Sequence, residues 1–461
     1  MSLSATCWWT LVRTVVLCLL AWPVSRLIER TLNHAAPARR AWLMTGLLAT
    51  CCFPEMLVGY AYRDIAMAHP QWAEFLCSVL LFVRIVPVGT LALLAAPPSR
   101  LDAASIHCRR LAGGSRFELA RCYWHGPILR ALPGLALMSL LAYQEFELAA
   151  LLQTMSWTDW FVVAQREGLE RAEMLRRSLW PLLTQAPVLL AVVYWLRQGP
   201  KTQDVGEDLR TSDIPCDART AGLGPAFVFA CVVLGCLIPL GMIGWRTLEG
   251  LQALVRYGPQ QRGLMWEMTT SLAVAICAGT SAWAIGGRMK GMLALGLLPG
   301  LAGSLLLSLA CVAMFQATWL RPLYDTPVPW VLALLVWLLP RAAVLRLWLD
   351  RFQRDESIHT ALILQQSDVR GGSSPARPGL VLWQLRDQPR FLAVSLLCYW
   401  AYCDLPIAYL LAPSRMASGL VRLYNFMHFG RSAALSAEAS VFFGVPVLCL
   451  FLILLLMRKF R

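Results

Sequence analysis

Charge is scarce in this sequence. Only 15% of its 461 residues are Asp, Glu, Lys or Arg, while 58% are hydrophobic. A soluble globular domain is nearer a quarter charged and half apolar. Lysine is almost missing: Lys201, Lys290 and Lys459 are the only ones, and none lies in a glycine-rich loop. No GxxxxGK[ST] phosphate loop occurs, which excludes that mode of ATP binding. There is no HExxH, no GxSxG, no CxxC and no zinc-finger spacing, and the six histidines are dispersed. These absences leave no catalytic set, no metal site and no cofactor to assign, and the chain reads as a non-enzyme. The 15 cysteines lie mostly inside apolar stretches and read as small buried hydrophobes.

What is present is apolar sequence, in runs of about 18 to 25 residues, the length a helix needs to cross about 30 Å of hydrocarbon. In lipid every backbone amide needs an internal partner, so such runs must be helices. The expected fold is an all-α polytopic membrane protein with about eleven transmembrane helices. The expected spans are 8–25, 41–61, 74–96, 127–152, 179–196, 223–245, 265–286, 291–315, 329–344, 391–412 and 439–457. The first run contains Arg13 and three tryptophans, with no clean cleavage site after it. It therefore reads as a retained span rather than a signal peptide.

The formal net charge is +14, from 41 basic and 27 acidic residues. The arginines lie in loops between apolar runs, which points to membrane topology and not to nucleic acid. With loop 97–126 in the cytoplasm, roughly 27 Lys and Arg fall inside and roughly 12 outside. The amino terminus is then expected outside and the carboxyl terminus inside. Two basic cytoplasmic loops are long, 97–126 and 345–390, and a polar linker occupies 201–222.

The chain also repeats itself. Ala142-Tyr143-Gln144-Glu145-Phe146 recurs as Ala401-Tyr402-Cys403-Asp404-Leu405, and Gly113-Gly114-Ser115 recurs as Gly371-Gly372-Ser373, both at a displacement of about 258. This pattern predicts two homologous halves. Residues 1–200 would hold five spans, 201–222 the linker and 223–461 six spans, one of them an additional leading helix. Both long loops face the same side, so the repeat is parallel.

Ionisable residues inside the expected spans are Arg13, Arg84, Glu145, Glu147 and Asp404. Such residues mark a polar path or a buried pair. On the first reading Tyr143, Glu145, Glu147, Tyr402 and Asp404 line a substrate path that favours a cation. On the second the acids sit at the outer interface or pair with Arg84. Segments 156–173 and 420–438 form either an outer platform for a partner protein or interfacial helices, with Trp157 and Trp160 at the headgroups.

At these residues the chain resembles the inner-membrane permeases of binding-protein-dependent ABC importers. It is most similar to the iron(III), thiamine and spermidine/putrescine group, in which two permease halves are fused. The resemblance runs through Leu111–Phe117, Gly126-Pro127 and the span to Glu145, then Arg370–Ser373 and the span to Asp404. It continues in Leu410-Leu411-Ala412-Pro413 and Val421–Gly430 before the last helix. It implies a bacterial cytoplasmic-membrane permease subunit with a path between two halves, for iron(III) or another small cationic or metal-bearing solute. It also implies a separate ATP-binding subunit that docks at Gly113, Gly114, Ser115, Gly371, Gly372 and Ser373, and a periplasmic solute-binding protein. The chain departs from the family where the loop glutamate aligns with His107 and with Gln365 or Gln366, and where the closing Leu-Pro is missing from the second loop. Those departures give the alternative expectation, a permease-derived membrane scaffold or assembly protein without ATPase coupling.

Overall fold

The computed structural model describes residues 2–96, 103–198, 218–256, 258–288, 293–317, 319–352, 358–363, 381–428 and 432–459. Every regular element among these residues is helical. Of the expected linker 201–222, residues 201–217 lie outside them and 218–222 are helical; the glycine pair of the second loop also lies outside them.

The chain divides into two compact units, Met1–Leu240 and Gly241–Arg461. The division falls inside the helical stretch 218–256, which is the helix expected to lead the second half.

The first unit opens with α1 (Leu3–His34), whose N-cap Ser2 accepts from the Ala5 amide. Next come α2 (Pro37–Cys52), α3 (Glu55–Ala68) and α4 (Pro70–Ala95). Phe53-Pro54 separates α2 from α3, because proline supplies no amide to continue the ladder, and the two helices meet at 77°. Two short helices follow, α5 (Ala103–Leu111) and α6 (Arg116–Tyr123), then a π-helical turn over Trp124–Ile128 and α7 (Leu129–Tyr143). The unit continues with α8 (Glu147–Leu152), α9 (Trp157–Arg166), α10 (Arg171–Gln198) and α11 (Ala218–Val232). In this unit α4 packs between α1 and α7, α8 lies on α3, and α11 lies on α1 and α2. Gly89 allows one of these close crossings, since a Cβ there would stand 2.4 Å from Met138 Sδ and 2.8 Å from Ser25 Oγ.

Helix α12 (Ile238–Arg256) leads into the second unit, which contains α13 (Gly258–Arg288), α14 (Leu293–Leu301), α15 (Ser304–Phe315) and α16 (Pro327–Phe352). A π-helical turn over Trp383–Asp387 then precedes α17 (Gln388–Tyr402), α18 (Leu405–Leu411), α19 (Gly419–His428) and α20 (Ser432–Lys459). Here α13 packs on α16 and α17, and α15 on α18.

The order of lengths in one unit is followed in the other. Helices α1, α4, α7, α8, α9 and α10 have 32, 26, 15, 6, 10 and 28 residues. Helices α13, α16, α17, α18, α19 and α20 have 31, 26, 15, 7, 10 and 28. A π-helical turn precedes α7 and α17 alike.

Seven helices among the described residues are long and apolar enough to cross a membrane, or up to nine if each of two bent pairs is one span. The expected spans at 179–196 and 291–315 are not among them. The first lies in α10, which carries Thr184 and Gln185 at mid-length. The second is divided at Ala302-Gly303, where Gly303 takes φ +101° and leaves α15 only 12 residues long.

Candidate functional site

Each unit contains one apolar helix interrupted at its recurring acid. In the first unit α7 ends at Tyr143 and α8 begins at Glu147, with Glu145 between them. Glu145 Oε1 accepts from the Leu148 amide at 2.7 Å. In the second unit α17 ends at Tyr402 and Asp404 Oδ1 accepts from the Ile407 amide at 2.9 Å. Each carboxylate thus satisfies an amide that the interruption leaves without a helical partner. Both acids are buried, as is Glu147 at the start of α8.

An interrupted helix also frees carbonyls, which must be satisfied away from water. Trp157 Nε1 donates to the Tyr143 carbonyl at 2.7 Å, and Thr158 Oγ1 to the Glu145 carbonyl at 2.7 Å. Trp157 is therefore a core anchor, 1% exposed, and not a headgroup residue. Trp160 stays half-buried and lies edge-on to Phe161, with the Arg177 guanidinium 5.5 Å from its ring. Beyond the expected span, a hydrogen bond from Arg177 to Glu173 at 2.7 Å holds that partly exposed carboxyl below the ordinary carboxylate range.

The tyrosines tie each interruption to the long helix that follows. Tyr143 exchanges a hydrogen bond with Thr184 Oγ1 on α10 at 2.6 Å, and Gln144 Nε2 donates to Gln185 Oε1 at 2.8 Å. Tyr402 donates to the Phe442 carbonyl on α20 at 3.0 Å and stacks on the Phe442 ring at 4.3 Å. The first long helix is also tied in the same way in both units. Thr10 Oγ1 on α1 accepts from the Trp157 amide that opens α9, and Ser271 Oγ on α13 accepts from the Gly419 amide that opens α19, each at 3.3 Å.

The charges around the acids follow a pattern that sequence reasoning reached only in part. Arg84 on α4 is the principal positive neighbour of Glu145, and Arg341 on α16 is that of Asp404. Arg84 itself forms an ion pair with Glu55, the first residue of α3. Arg341 Nη1 donates to the Trp337 carbonyl at 2.8 Å, and its guanidinium lies 3.6 Å from the Trp337 ring centre. Arg13 pairs with Glu74 at 2.9 Å. The expected pairing of an acid with Arg84 is thus answered mainly by Glu55, which was not among the candidates. The signal for Arg341 was the repeat itself, because it follows the start of α16 by the same interval as Arg84 follows the start of α4.

The first glycine loop joins α5 to α6. Gly113 takes φ +75°, a conformation that L side chains rarely adopt. Ser115 caps α6, accepting from the Glu118 amide and donating its own amide to Glu118 Oε2, both at 3.3 Å. Arg109 closes on Glu118 at 3.2 Å. Leu111 and Phe117 stand out from this turn, 75% and 79% exposed. Gly371, Gly372 and Ser373 lie outside the described residues.

Among the described residues no three His, Cys, Asp or Glu side chains gather closely enough to hold a metal ion. No protein-family description, curated protein or solved structure matches the chain.

Proposed function

We propose that this protein is a multi-pass permease subunit of the ABC importer type, with two homologous halves and about eleven spans. In this reading it lies in a bacterial cytoplasmic membrane, amino terminus outside and carboxyl terminus inside. It passes a small solute across the bilayer by alternating access, driven by a separate ATP-binding polypeptide and fed by a solute-binding protein. Tyr143, Glu145, Glu147, Tyr402 and Asp404 mark the part of each half that borders the solute's route. The carboxylates are held by backbone amides, so their first task is to keep an interrupted helix stable in lipid, and any preference for a cation or metal-bearing solute is built on that.

One observation supports this reading above the others: the same interruption, acid, capped amide, tyrosine tie and neighbouring arginine occur twice at a displacement of about 258. Discontinuous helices that recur in two halves are a device of transporters, because their freed backbone groups and helix ends face a solute at mid-membrane. The exposed Leu111 and Phe117 on the capped α5–α6 turn suit a docking element for the ATPase.

The test is affinity purification of the full chain in mild detergent, followed by identification of its stoichiometric partners. A nucleotide-binding subunit among them is the expected result. Partners without any ATPase would favour the scaffold reading instead.

A further inference from the structure

The two interruptions share their capping but not their charges. Arg84 and Arg341 occupy matching places, whereas Arg13 has no counterpart: α13 holds no charged residue over 268–286. Arg13 is also buried, its side chain 4% exposed. Its Nη1 serves Glu74 and lies 3.9 Å from Cys77 Sγ. Its Nε and Nη2 find no hydrogen-bond partner among the described residues. Those two atoms form the side edge of the guanidinium, the edge that receives a carboxylate through two parallel hydrogen bonds. Leaving both donors unsatisfied in a buried site is costly, more so for a charged group than for a neutral one.

Glu145 lies within electrostatic reach of Arg13. Glu74 is already engaged with Nη1, and Glu55 with Arg84. The interruptions differ in shape as well. Helices α17 and α18 meet at 54°, whereas α7 and α8 run on as a single apolar span, Leu129–Leu152, without a bend above 40°.

We propose that the Nε/Nη2 edge of Arg13 is a second seat for the Glu145 carboxylate, which makes the α7–α8 interruption a two-position element. In one position Glu145 caps α8 through the Leu148 amide, as observed. In the other it moves to Arg13, the orphaned donors are satisfied, and the Leu148 amide is released as α8 changes its angle to α7. The second unit, with no arginine at the corresponding place, keeps Asp404 on the Ile407 amide. Each position satisfies what the other leaves bare, and a balance of that kind permits two states of similar free energy. The element gives the first unit a hinge that the second lacks.

Hydrogen exchange of the full chain in lipid nanodiscs tests this, with readout at the Leu148 amide and the Ile407 amide as internal reference. Arg13→Met and Arg13→Lys both remove the side edge, and the lysine variant keeps a cation for Glu74. With one seat left, Glu145 stays on Leu148, so exchange there slows by about tenfold or more while Ile407 is unchanged. Slower exchange is a result that loss of structure does not produce. If Arg13→Met loosens the whole unit, Arg13→Lys decides. Unchanged or faster exchange at Leu148 in Arg13→Lys overturns the proposal.

Discussion

The Asp404 carboxylate accepts the Ile407 amide at 2.9 Å and so opens α18, in the same way that Glu145 accepts the Leu148 amide at 2.7 Å beside α8. An acid inside an apolar span is usually read as a solute ligand. Here each has a backbone partner, which separates its structural work from any role in transport.

Replacing these acids by apolar residues of similar size strands a buried amide. Glu145→Leu and Asp404→Leu are each expected to lower stability by about 1–3 kcal/mol. Glu145→Gln and Asp404→Asn keep an acceptor oxygen and lose less. Melting temperature in detergent, read beside solute uptake, separates the roles. A fall in uptake with an unchanged melt in the amide variants marks the acids as part of the solute's route.

Arg84 and Glu55 neutralise each other inside the first unit. The pair is partly buried, its side chains 21% and 20% exposed, so removing one partner leaves the other charge uncompensated at a cost below the about 3–5 kcal/mol typical of a fully buried pair. Arg84→Leu should therefore melt well below the wild type, and adding Glu55→Leu should restore part of the loss. Failure of the double variant to recover would assign the cost to Glu145, the other carboxylate near Arg84.

Trp157 fills the core of the first unit and satisfies the Tyr143 carbonyl, whereas Trp160 is only half-buried. Trp157→Ala is expected to cost about 3–5 kcal/mol, the range for a large aromatic removed from a packed core. Trp160→Ala should cost clearly less. Equal losses in chemical denaturation would contradict the difference in burial.

Much of the fold was legible because lipid imposes long apolar runs and forbids unpaired backbone. The paired Tyr-x-acid segments and the glycine turn at Gly113 were visible for the same reason: both are local, and their chemistry is carried by adjacent residues. Three things were not legible. Glu55 opens α3 and Glu74 lies at the edge of the expected span 74–96, places where an acid is ordinary, so nothing in sequence announced that they meet Arg84 and Arg13. Trp157 looked interfacial because tryptophan favours headgroups, and only the folded chain shows the freed Tyr143 carbonyl that draws its indole inward. The expected span at 291–315 appeared continuous by hydropathy, while the conformation of Gly303 divides it.

Reporter fusions after Arg110, Gln203 and Gln365 should read cytoplasmic, and a fusion after Met427 should read external. Opposite readings at Arg110 and Gln365 would remove the parallel repeat, since the proposed eleven-span topology puts six spans between the two long loops and so places them on one side.

The most direct test of the account is cysteine crosslinking from position 115, on the capped α5–α6 turn, and from position 373 in the second loop. It is carried out in cells on the full chain bearing Ser115→Cys or Ser373→Cys. If the protein is the permease subunit proposed, both positions capture one ATP-binding polypeptide, and the crosslink changes when ATP hydrolysis is trapped. A chain that supports solute uptake with no ATPase captured at either position would contradict it.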